Sequence, residues 1–195
     1  MLRLIYGIHY RGGPICTTLR LIYRPWEKIT LACDACGKNL VGLWLEGQKY
    51  YQGTLKEALI EKDAVPLFDI AKKVAGQIFF RAEADVAELP LAPQGNAFRQ
   101  GVWEILCTIP YGEVITYGSI AKKMAVKLQK ERMSSQAVGG AVGHNPISII
   151  IPCHRVIGVN GSLTGYAGGI ETKIKLLELE GVDMSGFLSP KRYGI

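Results

Sequence analysis

The sequence lacks the features that mark several large classes of protein. No run of apolar residues approaches the ~20 that a membrane-spanning helix needs, so we expect no membrane span. The apolar start, MLRLIYGIHYRGG, carries scattered arginines and no small-residue cleavage site, which argues against a signal peptide. The 5 cysteines are odd in number and form no dense framework, which argues against a disulfide-stapled secreted module. We therefore expect a protein of the cytoplasm.

The composition is that of a globular chain with a basic excess. Of its 195 residues, 48% are hydrophobic and 21% charged, and lysine plus arginine number 23 against 17 aspartate plus glutamate. Residues 95–195 carry 11 basic and 7 acidic side chains, whereas residues 1–94 carry 12 and 10. This balance permits a polyanionic partner such as nucleic acid, although solvated lysines explain the same composition.

A segment rich in proline divides the chain. Leu-Pro-Leu-Ala-Pro-Gln-Gly-Asn at 89–96 stops regular structure, and apolar side chains at helical spacing resume from Phe98. The predicted fold class is α+β. A small N-terminal antiparallel-sheet domain covers residues 1–93, with an irregular start over 1–15, and a mainly helical domain covers residues 94–195.

The N-terminal half alternates between strand-like runs and turn residues. The runs at 19–23, 28–33 and 40–45 are rich in aliphatic and aromatic side chains and predict an antiparallel meander. Residues 66–74 have the spacing of a short amphipathic helix, and residues 77–81 are predicted to form another strand.

The C-terminal half has the apolar spacing of helices. Helices are predicted over 98–109, 117–124, 136–142 and 171–180. Thr116 is suited to cap the start of the second helix, and Ser134 or Ser135 the start of the third. Gly181 is suited to terminate the last helix. The second and third fit a helix-turn-helix, although their connector at 125–133 is longer than the usual tight turn.

The chemistry of the chain is concentrated where Pro152 is followed by Cys153 and His154. A cysteine attacks as its thiolate, so it needs a base or a cation nearby. Adjacent residues of a strand point to opposite sides, so the two can cooperate only if the chain turns, as Pro152 favours. The alternative is a buried cysteine beside a surface histidine.

The residues around this pair resemble those of the O6-alkylguanine-DNA alkyltransferases, also called methylated-DNA–protein-cysteine methyltransferases. The family signature, Pro-Cys-His-Arg-Val after an apolar run, is present at 152–156. The further matching blocks lie in order at 112–117, 137–141, 145–146, 166–169 and 176–181. Residues 40–50 match the leading domain of the family less closely, and residues 1–15 match nothing in it.

The resemblance implies direct, irreversible transfer of an alkyl group to Cys153, once per molecule and without a cofactor. The substrates would be O6-alkylguanine, and also O4-alkylthymine, in double-stranded DNA, and the protein would act as a monomer. His154 would take the thiol proton through a bound water, and Glu180 would orient and charge the histidine. Without the resemblance, Glu180 would be interpreted as a solvated acid near a helix end.

The same resemblance assigns the walls of a purine pocket. Tyr117 would donate its phenol proton to a ring nitrogen of the departing guanine, and Asn145 would brace the turn around the cysteine. The backbone carbonyls of residues 153 and 156 would accept from the exocyclic amine. The other expected substrate-binding residues are Val156, Tyr166, Ala167 and Gly168. A backbone N–H at Ala167, where many family members have serine, would meet O6. Without the resemblance, Tyr117 would be a partly buried aromatic and Asn145 a helix stop.

DNA binding is implied for the third helix, since the target atom lies inside the duplex and the nucleotide must rotate out. In the family this helix lies in the minor groove, where small side chains permit close approach. The expected DNA-binding residues are Gln136, Ala137, Gly139, Gly140, Arg155, Lys122 and Lys123, with further phosphate contacts from the basic residues Lys127, Lys130 and Arg132. Small residues also serve helix–helix packing, and lysine clusters are often only solvated.

Gln136 departs from the family pattern. The family normally has arginine there, which fills the gap left by the flipped nucleotide, and glutamine is shorter and uncharged. We therefore predict weaker capture of duplex DNA with the thiol chemistry intact, unless a neighbour such as Arg132 reaches in.

The remaining cysteines carry a weak metal signal. Cys33 and Cys36, with His9 and Cys16, could assemble a structural zinc site, but one Cys-x-x-Cys without a second pair is more often a pair of ordinary thiols. Cys107 is expected to be a small core residue.

Three other functions compete with alkyl transfer. Lesion-binding relatives without transfer activity replace the acceptor cysteine, typically with tryptophan, whereas Cys153 is present here. A transcriptional regulator would need side chains that read base edges, which the Ala/Gly-rich third helix lacks. A papain-like thiol hydrolase does not fit an adjacent Cys-His pair.

Overall fold

A three-stranded antiparallel sheet opens the fold in the computed structural model, which describes residues 18–23, 26–53, 55, 65–79 and 88–188. Its strands β1 (Thr18–Tyr23), β2 (Trp26–Cys33) and β3 (Leu40–Leu45) pair in sequence order, which confirms the predicted meander. The β2–β3 turn forms because the Asp34 carboxylate accepts the Lys38 N–H at 2.8 Å. Gly37 adopts a left-handed φ of 68° in the same turn.

Helix α1 (Pro66–Phe79) is longer than predicted. The strand expected over 77–81 is wrong for residues 77–79, which continue the helix, while residues 80 and 81 lie outside the described ranges. The helix continues because its buried apolar stripe does. That stripe runs through Leu67, Ala71, Val74, Ala75 and Ile78.

Four further helices and two short strands build the C-terminal half. They are α2 (Ala97–Cys107), α3 (Tyr117–Lys127), α4 (Ser135–Gly143) and α5 (Ile170–Leu179), with the parallel pair β4 (Ile115–Thr116) and β5 (Val156–Ile157). The predicted caps are confirmed: Thr116 accepts from the Ser119 N–H, and Ser134 accepts from the Ala137 N–H. Within the described ranges, no helix is both long and apolar enough to cross a membrane.

One hydrophobic core joins the two halves. The Leu43 N–H in β3 donates to the Pro146 carbonyl at 2.8 Å, and the Ser148 N–H returns a bond to the Leu43 carbonyl at 2.8 Å. Buried side chains from both halves, such as Leu43 and Trp103, belong to the same cluster. The boundary at residues 93 and 94 stays a prediction, and the core is continuous across it. Packing of β3 against residues 146–148 fixes the segment that leads to Cys153.

Candidate active site

Cys153 lies at the start of a turn rather than in a strand. Pro152 precedes a single 3-10 turn, Cys153–Arg155, after which β5 begins. Side chains on a turn are not forced to opposite faces as they are in a strand, so Cys153 and His154 can cooperate although they are adjacent in sequence. Cys153 keeps 4% of its surface exposed, so its thiol is almost completely enclosed.

The buried amide of Asn145 braces this turn and contacts the sulfur. Its Nδ2 donates to the Ile151 carbonyl at 2.8 Å and to the Cys153 Sγ at 3.1 Å, while its Oδ1 accepts the Ile147 N–H at 3.0 Å. Burial raises the pKa of the Cys153 thiol, and the Asn145 hydrogen bond and the Lys173 charge partly offset that effect. The resting group is therefore the thiol, which needs a base to react.

His154 is placed to be that base. Its fully buried ring contacts the Glu180 Oε1 through Nε2 at 2.8 Å, and its Nδ1 is buried with no partner among the described residues. Since a carboxylate only accepts, Nε2 carries the proton and Nδ1 has a free lone pair. Burial lowers the pKa of His154 against the opposing effect of Glu180, so the ring is a neutral base.

Glu180 closes the relay as the residue that ends α5. It accepts from His154, from the Arg155 Nε and Nη2 at 2.8 Å each, and from the Gly112 N–H at 3.4 Å. Burial opposes its ionisation, but the hydrogen bonds from His154 and Arg155 outweigh burial and lower the pKa of Glu180 to about 2. The carboxylate is thus charged and held on both oxygens. Gly181, in a left-handed conformation with φ 78°, ends the helix as predicted.

The assignment of Arg155 to the DNA surface is wrong. Its guanidinium is buried against Glu180, donates to the Ile109 carbonyl at 2.7 Å, and lies 5.6 Å from the centre of the Tyr111 ring. A buried carboxylate such as that of Glu180 requires a cation nearby. Arg155 provides that cation and makes a bidentate hydrogen-bonded ion pair with Glu180. No sequence signal links Arg155 to an acid 25 residues further along the chain.

Tyr117 begins α3 and faces the loop beyond β5. Its hydroxyl lies 3.1 Å from the Thr164 carbonyl and 3.3 Å from the Gly165 carbonyl, to which it donates. Burial, followed by the charge of Cys153, raises the pKa of Tyr117 to about 12. The phenol is therefore a neutral proton donor near the acceptor sulfur.

Three of the four predicted substrate-binding residues, Tyr166, Ala167 and Gly168, lie on the same loop, and Val156 begins β5. Tyr166 is buried with its hydroxyl unpartnered among the described residues, and its ring meets the His154 ring edge-on at 6.5 Å. The carbonyl of Ala167 accepts the Lys49 N–H at 2.9 Å. At Gly168 a Cβ would lie 2.8 Å from the Tyr166 ring and 2.9 Å from Leu45, so only glycine fits there. The loop is thus fastened to the N-terminal half.

Lys173 is the functional candidate that the sequence analysis missed. It is fully buried on α5, and its ammonium donates to the carbonyls of Val156 and Thr164, the latter at 3.3 Å. The Val156 carbonyl therefore already has one donor, and its second lone pair is the one left for a substrate amine. No carboxylate in the described part of the chain pairs with Lys173, and the group whose charge acts on it is Cys153 in its thiolate form.

Burial lowers the pKa of Lys173 to about 8, and its charge in turn lowers the pKa of Cys153. A signal was present in the sequence, because Lys173 stands three and four residues before Leu176 and Leu177, which form the buried face of α5. A lysine at an apolar position indicates a buried cation.

The residues predicted to meet DNA lie on the open side of α4. Gln136, Ala137 and Gly140 are exposed, and a Cβ on Gly140 would meet nothing within 4 Å. A Cβ on Gly139 would make only an ordinary contact with the Tyr117 ring at 3.9 Å. Packing within the protein therefore does not require these glycines. On α3, Lys122 and Lys123 are exposed, whereas Lys127 is ion-paired with Glu104.

The metal hypothesis gains no support from the described ranges. Within them, no three His, Cys, Asp or Glu side chains are grouped to hold a metal ion. Cys33 is buried in β2, and the exposed Cys36 donates from its Sγ to Asp34 at 3.2 Å. His9 and Cys16 lie outside the described residues, so a zinc site stays a prediction.

Comparison with known proteins identifies relatives across most of the chain. Residues 97–182 match the family model for the 6-O-methylguanine DNA methyltransferase, DNA binding domain. A Methanosarcina mazei protein named methylated-DNA–protein-cysteine methyltransferase is 45% identical over 163 residues, which are 82% of this chain and 94% of the relative. A Haemophilus influenzae protein of the same name is 43% identical over 84% of this chain and 87% of its own length. The crystal structure of Mycobacterium tuberculosis OGT in complex with DNA matches with a TM-score of 0.66 and 37% identity, covering 86% of this chain and 92% of that one.

Proposed function

The chain belongs to the methylated-DNA–protein-cysteine methyltransferase family, and we propose that it repairs alkylated DNA by moving the alkyl group from O6-alkylguanine to Cys153. One observation carries the proposal. The Cys153 thiol is followed in one tight turn by His154, whose Nε2 is held by Glu180 at 2.8 Å while its Nδ1 has no partner among the described residues. This arrangement has the nucleophile, base and orienting acid that thiol chemistry requires.

The proton and electron movements follow from the pKa values. Because burial keeps Cys153 protonated, the neutral His154 takes its proton through Nδ1, directly or across a water. Glu180 stabilises the resulting imidazolium. The sulfur then attacks the alkyl carbon, so that a C–S bond forms as the C–O6 bond breaks and the electron pair passes to guanine. Tyr117 donates its phenol proton to a ring nitrogen of that guanine, which removes the negative charge.

The reaction occurs once per molecule. The product is a thioether, and no group in the described site is suited to cleave a C–S bond. The protein is therefore consumed as its substrate is repaired, and it needs no cofactor for the transfer. O4-alkylthymine is a further proposed substrate, because it presents an alkyl carbon on an equivalent exocyclic oxygen.

Double-stranded DNA is the proposed partner, bound on the open side of α4 by a monomer. The exposed glycines let a nucleic-acid backbone approach the helix closely, and Lys122 and Lys123 provide cations for phosphates. Rotating the target nucleotide out of the stack costs a few kcal/mol. Gln136 stands at the position where the family normally has arginine, so the rotated-out nucleotide is held less strongly here. We further propose that the protein works in the cytoplasm, where free thiols stay reduced.

The decisive experiment is the intact mass of the protein after incubation with a duplex containing O6-methylguanine. We expect a gain of one methylene group, mapped to Cys153 and absent from Cys153→Ala. Cys107→Ala is the matched control, because it removes another partly buried thiol and should still be alkylated. An unmodified protein that binds the lesion duplex would favour a lesion-binding protein without transfer. An unmodified protein that does not bind would contradict both functions.

A further inference from the structure

The helix proposed to meet DNA has no charged side chain of its own between Ser135 and Gly143. Its buried face consists of Val138, Ala141 and Val142, three and four residues apart. The opposite face contains the positions that share the spacing of Gln136, namely Gly140, Gly143 and His144. Because phosphate binding is favoured by cations, those cations come from neighbouring segments, and Lys122 and Lys123 of α3 are one such source.

The loop after β3 supplies such a segment at the C-terminal end of α4. The Tyr50 ring stacks on the His144 ring with centroids 3.9 Å apart and planes 20° from parallel. The same Tyr50 ring lies 3.9 Å from where a Cβ on Gly143 would be. Over its centre, at 4.9 Å, lies the Lys49 ammonium. The α4 face that begins at Gln136 thus continues, through two stacked rings, to a cation.

This loop is held firmly against both the active-site loop and the core. The Lys49 N–H donates to the Ala167 carbonyl at 2.9 Å, and the buried Gln48 Oε1 accepts from Ser148 Oγ at 2.9 Å. Tyr51, two residues after Lys49, shares a hydrogen bond of 2.8 Å with Thr30. The backbone of Lys49 is therefore tied directly to the pocket loop at Ala167, and its neighbours are tied to the core.

The backbone and exposure of Tyr50 point to a surface role. Its φ is 63°, a left-handed conformation that a bulky side chain rarely adopts, yet 42% of its surface remains exposed. A residue needed only for packing would be more deeply buried. Its ring instead supports the Lys49 side chain above and covers the end of α4 below.

We propose that Lys49, Tyr50 and His144 form a second DNA contact, which binds the sugar–phosphate backbone of the duplex beyond the C-terminal end of α4. This inference rests on the proposed function. Lys49 would pair with a phosphate, and Tyr50 would hold its side chain in place. His144 donates from Nδ1 to the Gly140 carbonyl at 2.7 Å, which leaves the Nε2 lone pair available to another donor. Hence residues from the N-terminal half would add affinity for duplex DNA without touching the transferred group.

The test measures the dissociation constant for a lesion duplex as a function of salt concentration. We expect Lys49→Gln to weaken binding about 3- to 10-fold at low salt and to reduce the slope of log Kd against log salt by about one. Tyr50→Asn, which keeps a side chain tolerant of the left-handed backbone, should also weaken binding. Both variants should react with the free base O6-methylguanine at the wild-type rate.

Lys73→Gln is the matched control, because it removes one exposed lysine on α1, where Lys73 pairs with Glu88. Equal affinity and equal salt slope for Lys49→Gln and wild type would overturn the second contact while leaving alkyl transfer intact. The same loss in Lys73→Gln as in Lys49→Gln would also overturn it, since the effect would then be one of total charge. A wild-type protein that fails to bind any duplex would overturn both the contact and the proposed function.

Discussion

The proposed alkyl-acceptor site and the side of α4 proposed to meet DNA are built in opposite ways. Around Cys153, buried polar groups hold one another, as when Arg155 donates to Glu180 and Glu180 accepts from His154. On the open side of α4 there are no charges, and the distinguishing feature at Gly140 is the absence of a side chain. Single substitutions should therefore abolish function around Cys153, whereas on the open side of α4 they should change it only in part.

The largest expected effect is at Glu180. Glu180→Gln leaves the buried Arg155 charge unpaired and His154 without a carboxylate, so we expect a transfer rate at least about 100-fold lower and a loss of about 3 to 5 kcal/mol in unfolding free energy. The pKa of Glu180 is about 2 when folded against a usual 4.5, so its stabilisation is complete above pH 4.5 and fades as the pH falls towards 2.

Single-turnover rates and urea unfolding at several pH values check this expectation. Glu178→Gln, an exposed neighbour on α5, should change neither quantity. Wild-type rates in Glu180→Gln would remove Glu180 from the relay.

The next largest effect is expected at Lys173. Lys173→Met removes the cation that favours the Cys153 thiolate, so we expect a rate about tenfold lower at neutral pH and a pH–rate profile moved towards alkaline pH. A merely structural role would lower the rate equally at every pH. The rate of Cys153 alkylation by iodoacetamide as a function of pH measures the ionisation of the thiol directly.

Lys173 also predicts a pH dependence of stability. Its pKa is about 8 when folded and 10.5 when unfolded, so between these pH values the unfolded chain binds more protons and the folded state gains stability as the pH rises. The difference in unfolding free energy between wild type and Lys173→Met should therefore grow in favour of wild type from pH 8 to pH 10.5. A difference that is constant with pH would show that the lysine is not buried as a cation.

A smaller and positive effect is expected at Gln136. Gln136→Arg places a longer cationic side chain at the start of α4, so we expect a several-fold faster reaction with duplex DNA and an unchanged rate with the free base. Ser135→Arg, one residue earlier, controls for added charge. Equal duplex rates for Gln136→Arg and wild type would contradict the role of this position.

The smallest effect is expected at Gly140, where one substitution should change stability and DNA binding in opposite directions. Gly140→Ala fills open space on a helix, so we expect it to raise the unfolding free energy by up to about 1 kcal/mol while weakening duplex binding a few-fold. Chemical unfolding and duplex titration measure the two quantities. Gly101→Ala in α2 is the control, because its Cβ would lie 3.1 Å from Met124 and should bring no such stabilisation. Stronger duplex binding by Gly140→Ala would contradict close approach of DNA to this face.

Local signals predicted most of the fold. The three strands, the Thr116 and Ser134 caps and the glycine that ends α5 depend on neighbouring residues, and the structure agrees with each. The strand expected over 77–81 was wrong for residues 77–79, because Gln77 and Ile78 also suit the continuation of helix α1. Only the packing of α1 against the core decides between the two.

The site was predictable where it follows a contiguous motif and not where it depends on partners distant in the chain. The turn at Cys153 and the brace from Asn145 are encoded nearby. The partner of Arg155 is 25 residues away, and the carbonyls that hold Lys173 are 9 and 17 residues away, so neither contact has a periodic signature.

The enclosure of Cys153 gains a different meaning for a protein that works once. An enzyme that is reused must keep an exit for its product, whereas a transferred methyl group stays on the sulfur. It has to find room beside the Asn145 amide, whose other bonds support residues 147 and 151. Residue 147 pairs with Leu43 of strand β3. In a molecule that has reacted, the added methyl group therefore lies close to the contact between the two halves of the fold, where it can perturb that contact.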